Sequence, residues 1–346
     1  MIGALRASMR LEDLRAKLAY TVLMLAVFRV GSHVPVPGVD AVALAERFRT
    51  DGANIFGFLD LFAGGALTNF SIFAMSVTPY ITASIIVQLL TIVIPAWEQM
   101  AKEGPEGRRQ LAQYTRYGTI LLALVQASGV TALAQGFGVI TSPGFFTFAL
   151  IVVTLTAGTM LLMWIGEKIS ENGLGNGISL IIFAGIVARL PAGAVNVVRA
   201  LGEGGISPLS LVLFGLLAVA LVGAVILIQE AQRRIPVQHA RRVVGRRMYG
   251  GQSTHIPLRL NQAGVIPIIF ASSVLAFPLT VAQFVPGADL INRWLGFGTA
   301  VYNVLYVVLV VFFTFFYTAV TFNPRDVAEN MKKYGGFIPG IRPGLP

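Results

Sequence analysis

Cysteine does not occur in this 346-residue chain, so no disulfide framework, thiolate metal site or thiol redox chemistry is open to it. Charge is scarce as well: 12% of residues are Asp, Glu, Lys or Arg, against about 25% in an average soluble domain. The three histidines, His33, His239 and His255, are scattered, and no HExxH, GxSxG or P-loop pattern is present. Intramembrane proteolysis and metal-dependent hydrolysis have no residues to carry them, and no catalytic residue, metal ligand or cofactor is expected. GLGNG at residues 173–177 has the glycines of a phosphate loop, but it follows no strand and joins two apolar runs, so it reads as a helix-terminating turn. A cleavable signal is not evident, because residues 1–14 hold Arg6, Arg10, Glu12 and Asp13 and lack an apolar core; an amphipathic surface helix fits them better.

What is abundant is apolar. Hydrophobic residues make up 55% of the chain, and the mean hydropathy is +0.74. They lie in long charge-free runs with short polar connectors, the pattern of an integral membrane protein. Runs long enough to cross a hydrocarbon core of about 30 Å read as helices, since barrel strands would be about ten residues of alternating pattern. The fold class is therefore all-α. Eight spans are expected, at residues 18–34, 72–95, 117–135, 146–166, 177–194, 208–228, 263–285 and 301–321. GFGVITSPG at 136–144 is the turn-rich break that separates the third from the fourth. None of the eight contains Asp or Glu. Ion-coupled transporters place carboxylates near the bilayer midplane, so this absence counts against a small-solute transporter.

The net charge of +10 is a matter of topology first. With the N-terminus inside, the cytoplasmic segments hold Arg6, Arg10, Arg15, Lys17, Lys102, Arg108, Arg109, Arg116, Lys168, Arg233, Arg234, Arg241, Arg242, Arg246, Arg247, Arg259, Arg325, Lys332, Lys333 and Arg342. That is 20 of the 26 basic residues, with Arg47, Arg49, Arg189, Arg199 and Arg293 outside. Arg29, near the outer end of the first span, reads as an arginine snorkelling to the interface.

Three stretches stand out from plain spans. Residues 61–97 carry no charge, yet residues 56–70 are too short to cross and too rich in Gly64, Gly65, Thr68 and Asn69 for a lipid-facing helix. Irregular backbone at membrane depth survives only where protein or a water-filled cavity surrounds it, so this half-helix is expected to be tucked into a cavity. Residues 229–261, with three Arg pairs, β-branched residues and a Tyr-Gly-Gly turn, read as a projecting two-stranded hairpin. Contact with anionic lipid accounts for its charge but not its length; a docking surface for an acidic or polyanionic partner accounts for both, because guanidinium groups bind phosphate and carboxylate bidentately. Residues 322–344 form a short helix and then a Gly/Pro-stiffened turn that displays Arg342.

Two apolar pairs have helical spacing: Val77 with Ile81, beside the Thr78-Pro79 break, and Ile178 with Ile182. Each reads alone as helix or lipid packing. Converging, they would make a narrow apolar ring that blocks water and ions by dewetting and selects no particular solute.

The stretches GGALTNFSIFAMSVTPYITASIIVQLL (64–90), LMWIGEKISENGLGNGISLIIFAGIVA (162–188), GVIPIIFASS (264–273) and FNPRDVAENMKKYGGFIPGIRPG (322–344) closely resemble the SecY family, the central subunits of the bacterial Sec protein-conducting channel. The resemblance is collinear over essentially the whole chain. It implies a clamshell of two pseudo-symmetric halves, residues 1–194 and 195–346, around an hourglass pore in the bacterial plasma membrane. It implies that residues 56–70 are a plug, with Phe58, Leu61, Phe62, Gly64, Gly65 and Leu67 as its residues. The pore ring would comprise Val77, Ile81, Ile178, Ile182 and Ile269. Gln126, Ser272 and Ser273 would line a lateral gate between spans two and three on one side and seven and eight on the other. Arg246, Arg247 and Arg342 would dock the SecA motor ATPase or the ribosome. SecE and SecG would be partner subunits, signal sequences, nascent polypeptides and membrane lipid the contacts, and no cofactor would be needed. Where the family often has glycine, this chain has Ser76. The family has ten spans, so the resemblance implies a partial chain that stops before the last two. An insertase or scaffold without a through-pore differs from this reading only in the plug and ring.

Overall fold

A computed structural model of the chain describes residues 11–40, 43–44, 64–203, 205, 207–239, 242–244, 247–249, 254–282, 294–296, 299–321, 324–333 and 336–340. In order, its elements are α1 (Glu12–Gly31), α2 (Thr78–Val93), α3 (Pro95–Lys102), α4 (Pro105–Gly136), α5 (Phe145–Asn172), α6 (Gly177–Gly202) and α7 (Pro208–Glu230). There follow β1 (Gln232–His239), β2 (Arg242–Val244), β3 (Arg247–Tyr249), β4 (Thr254–Arg259), α8 (Ile266–Ala282), α9 (Ala300–Thr321), α10 (Pro324–Lys333) and β5 (Gly336–Phe337). The fold is mostly helical, as expected, and each expected span falls on one of these helices.

The boundaries move where proline or backbone conformation dictates. The second span is helical only from Thr78, because residues 72–77 form turns, Phe70 and Ser76 sit at φ of 41° and 52°, and Pro79 opens the helix without an N–H to give. Pro95 closes the same run early: it pushes Ile94 to extended backbone (φ −99°, ψ 111°), and α3 leaves at 101° to α2. That short amphipathic helix is absent from the sequence reading. Trp97 on it stacks on Tyr114 of α4 with ring centroids 5.0 Å apart. With 32 residues, α4 is longer than the third span requires, and at about 1.5 Å per residue its first third, with Arg108 and Arg109, extends beyond a bilayer core.

The chain divides into two compact units, Met1–Val198 with Ser272–Tyr306, and Arg199–Ala271 with Val307–Pro346. In lipid, apolar side chains gain little by leaving the solvent, so helices associate through small residues that allow close packing. The first unit follows this rule. The buried face of α4 is Thr115, Thr119, Ala123, Ala127, Thr131 and Ala134, four or three residues apart, and it meets Ile151, Leu155, Leu162, Ile165 and Ile169 of α5 in one cluster. The buried hydroxyls satisfy themselves, Thr119 donating to the Thr115 carbonyl at 2.7 Å and Thr131 to Ala127 at 2.7 Å; no buried side-chain N or O lacks a partner among the described residues. Arg116 of α4 grips Glu167 of α5 with two hydrogen bonds of 2.9 Å. The glycine-rich link between α5 and α6 is the expected helix-terminating turn: the Gly177 amide donates to Ser170 Oγ at 2.8 Å, and Asn176 Oδ1 caps α6 through the Ser179 amide at 3.1 Å.

In the second unit α7 buries no residue within the chain, consistent with an apolar helix facing lipid. β1 and β4 form the expected hairpin, in register from Gln232↔Arg259 to Val237↔Thr254, and β2–β3 continue toward its tip. β5 adds a third strand on the other edge of β1 through Gln238↔Phe337 and His239↔Gly336. Phe270 packs edge-on to Phe313 (5.5 Å) and Tyr317 (6.2 Å).

Candidate functional site

The irregular stretch that precedes α2 is enclosed. Ala66, Phe70, Ser71, Phe73, Ser76 and Val77 are each no more than 3% exposed. Its backbone groups are paired without regular structure: the Ser71 amide donates to the Ala66 carbonyl (2.8 Å), Val36 to Phe70 (2.9 Å), Ile72 to Val34 (3.0 Å) and Ser76 to Phe73 (2.8 Å). Protein surrounds this backbone, as the argument from membrane depth requires. Phe73 stacks on Phe28 of α1 at 6.1 Å, and on the opposite side α5 comes so close that a side chain at Gly158 would overlap the Ile72 carbonyl. Of the expected plug residues, Gly64, Gly65 and Leu67 lie in the turn at 64–70, with Leu67 buried; Phe58, Leu61 and Phe62 lie outside the described residues.

Arg29, expected to reach the interface, is held by the protein itself. Its Nη1 donates to the Gly64 carbonyl at 2.8 Å, and from α6 Arg189 Nη2 donates to Thr68 Oγ1 at 3.2 Å. With no carboxylate in the spans, these guanidinium groups find a carbonyl and a hydroxyl instead. That absence was the available signal in the sequence, although it does not name the partner.

The four expected ring residues of the first unit all belong to or pack against one apolar cluster. Val77 is buried at the N-cap of α2, Ile81 follows one turn later, and Ile178 and Ile182 are half-buried one turn apart on α6; all four join the same apolar cluster. Ile178 Cδ1 lies over Gly166 of α5, at the point where a larger residue would overlap it. Ile269 is half-buried on α8 and belongs to the second unit.

Among the residues expected at a lateral gate, Gln126 is half-buried on α4 and Ser272 half-buried on α8; Ser273 is also on α8. Of the expected docking residues, Arg247 opens β3 opposite Val244, while Arg246 and Arg342 lie outside the described residues. The turn at Pro339–Gly340, with Gly340 at φ 85°, leads toward Arg342. Sequence reasoning treated the hairpin and this segment as separate surfaces, but β5 joins them in one sheet. A two-residue strand leaves no periodic signal by which to find it.

Comparison with known proteins accords with this arrangement. The family model for SecY matches residues 71–346. The protein translocase subunit SecY of Corynebacterium glutamicum is 47% identical to this chain over 96% of its length and 80% of the relative's. A solved SecY structure, whose plug domain stabilises the closed state of the translocation channel and maintains a membrane seal, shares the fold with a TM-score of 0.66 and 19% identity, over 96% of this chain and 78% of that one. Sec61 in the canine ribosome–channel complex from the endoplasmic reticulum matches with a TM-score of 0.57 and 20% identity, over 78% of this chain and 59% of that one. A family match over most of the chain, and near-half identity over nearly all of it, go with an enclosed irregular segment set against an apolar cluster: the chain belongs to the SecY family.

Proposed function

We propose that the chain is the central subunit of a protein-conducting channel that passes unfolded secretory proteins across the bacterial plasma membrane and releases apolar segments sideways into lipid. It is a channel subunit and not an enzyme. The observation that carries this reading is the enclosed, non-helical stretch at 64–77 lying against the apolar cluster of Val77, Ile81, Ile178 and Ile182.

At rest, the plug and the ring keep water and ions out. A ring of aliphatic side chains blocks by dewetting, yet it yields to any polypeptide because it makes no specific bond. Ile269 is the fifth proposed ring residue. Plug, ring and gate act as one two-state device, and a ligand shifts it only by binding the open state more tightly. A signal sequence does so at the lateral gate, near Gln126, Ser272 and Ser273. A cytosolic partner does so at the sheet of β4, β1 and β5, with Arg246, Arg247 and Arg342 as its proposed contacts. SecA and the ribosome are the two partners that fit, and Sec61 in the canine complex gives a precedent for the second. Energy comes from SecA's ATP cycle, from translation or from the membrane potential. SecE and SecG complete the assembly, with the N-terminus of this chain inside the cell.

A photo-crosslinker at Ile182, with a secretory precursor stalled halfway, tests the reading. Crosslinks to the mature part of the precursor are expected. Crosslinks to lipid alone, with the precursor demonstrably engaged, would sink the pore in favour of a scaffold.

A further inference from the structure

We infer that Arg29 and Arg189 are positioning residues that clamp the turn at 64–68 onto α6 and so set how readily the plug leaves the pore. This rests on the channel reading above and adds the parts that hold the plug shut.

Two arginines from different helices converge on five residues. Arg29 of α1 holds the Gly64 carbonyl at 2.8 Å, and Arg189 of α6 holds the Thr68 hydroxyl at 3.2 Å. Between these points the turn is seated on bare backbone: Gly64, at φ 63°, lies so close to α6 that an added methyl would come within 2.7 Å of Gly185 Cα. Gly65 follows at φ 93° beneath the Arg189 guanidinium, whose Nε and Nη2 lie 3.7 Å from where its methyl would be. Ala66 and Leu67 seat the turn in the core, but on its α6 side it presents two left-handed glycines and no side chain, so at that contact the two charge-assisted bonds are the fastening.

The location gives the fastening its role. Residues 178, 182, 185 and 189 are four, three and four apart, which puts them on one face of α6. The lower part of that face carries Ile178 and Ile182. The upper part carries the glycine seat and the arginine, with Arg189 about 10 Å along the axis from Ile182 at about 1.5 Å per residue. The clamped turn also runs directly into Val77 through the enclosed stretch at 70–76. Lifting the turn therefore uncovers the helix face that bears two of the five proposed ring residues and pulls on the stretch of chain that bears Val77.

The two fastenings differ in kind. The Arg29 bond is to a carbonyl, which any residue at position 64 would supply. The Arg189 bond is to a hydroxyl, so Thr68→Val should shift the closed state in the same direction as Arg189→Ala.

The test uses the full-length gene product purified in its complex and fused into planar bilayers without precursor. Arg29→Ala and Arg189→Ala should each raise the resting open probability about tenfold, the scale of one charge-assisted hydrogen bond. Arg29→Lys, which keeps one donor for the carbonyl, should return it to within about twofold of wild type. A local readout separates release of the turn from general damage. These 346 residues hold no cysteine, so with any cysteine elsewhere in the complex replaced by serine, Leu67→Cys, at a position 5% exposed, can be alkylated alone, with Leu162→Cys in the core of α5 as control. Arg29→Ala should speed alkylation at 67 by about tenfold, the same scale, and leave 162 protected. If Ile182→Ser leaks while both arginine variants stay as tight as wild type, the clamp is wrong and the channel reading stands. If neither Ile182→Ser nor deletion of 64–70 leaks, the channel reading falls and the clamp with it. Equal gains of alkylation at 67 and 162 would show ordinary destabilisation and overturn the positioning role.

Discussion

At the scale of single residues, this protein is governed by how small side chains are distributed and by the few charges it keeps. Gly158 lets α5 approach the Ile72 carbonyl closely. Gly158→Leu should therefore destabilise the first unit by about 3 kcal/mol, the upper end of the usual overpacking penalty, seen as a lower thermal midpoint in detergent and reduced membrane abundance; an unchanged midpoint would contradict the close approach. Arg116–Glu167 is a bidentate pair, but its arginine side chain is 45% exposed. Arg116→Ala should cost about 1 kcal/mol or less, because solvent screens the attraction. At Ile182 a hydroxyl in place of the sec-butyl group gives water a partner inside the proposed ring. Ile182→Ser should raise ion leak through the resting complex and relax the demand for a proper signal sequence, and unchanged conductance would count against the ring assignment.

Among elements, the sheet formed by β4, β1 and β5 has the clearest consequence. β5 pairs with β1 through Gln238↔Phe337 and His239↔Gly336, so the segment at 336–337 that precedes Arg342 and the hairpin share one sheet. Charge reversal at Arg246 and Arg247 should weaken binding of the cytosolic partner mainly through a slower, more salt-sensitive association, measurable by surface binding to purified complex. Phe337→Pro places proline opposite Gln238 in the β1–β5 pairing and should weaken the same binding although every arginine remains. If docking survives Phe337→Pro at full strength, the arginines work independently of the sheet. The proposed plug has a separable role: deleting residues 56–70 should increase leak and let precursors with defective signals through.

For the molecule as a whole, orientation is the first quantity to measure. With Glu103→Cys and Ser142→Cys as single exposed cysteines in an otherwise cysteine-free chain, an impermeant maleimide should label position 142 from outside intact spheroplasts and position 103 only after lysis. The reverse pattern would refute the inward N-terminus. Membership of the spans was legible because it depends on local quantities: a run of apolar residues is long enough or it is not, and a turn-rich break such as 136–144 divides it whatever surrounds it. The hairpin was legible for the same reason, since strand alternation and turn residues are local. The start of α2 was partly so: the Thr78-Pro79 break is visible, but not that residues 70–77 would be held irregular by backbone bonds between Phe70 and Val36 and between Ile72 and Val34 and by the close approach of α5. The partners of Arg29 and Arg189 lie 35 and 121 residues away along the chain, and the strand that extends β1 is nearly a hundred residues beyond it. The amino-acid sequence by itself thus determined the class, the spans and the family, because hydropathy, charge and motif are carried by consecutive residues. The tertiary structure alone decided which carbonyl Arg29 holds, which hydroxyl Arg189 holds and which strands share a sheet, because those are choices among distant acceptors of equal chemistry, settled only when packing brings one of them within reach.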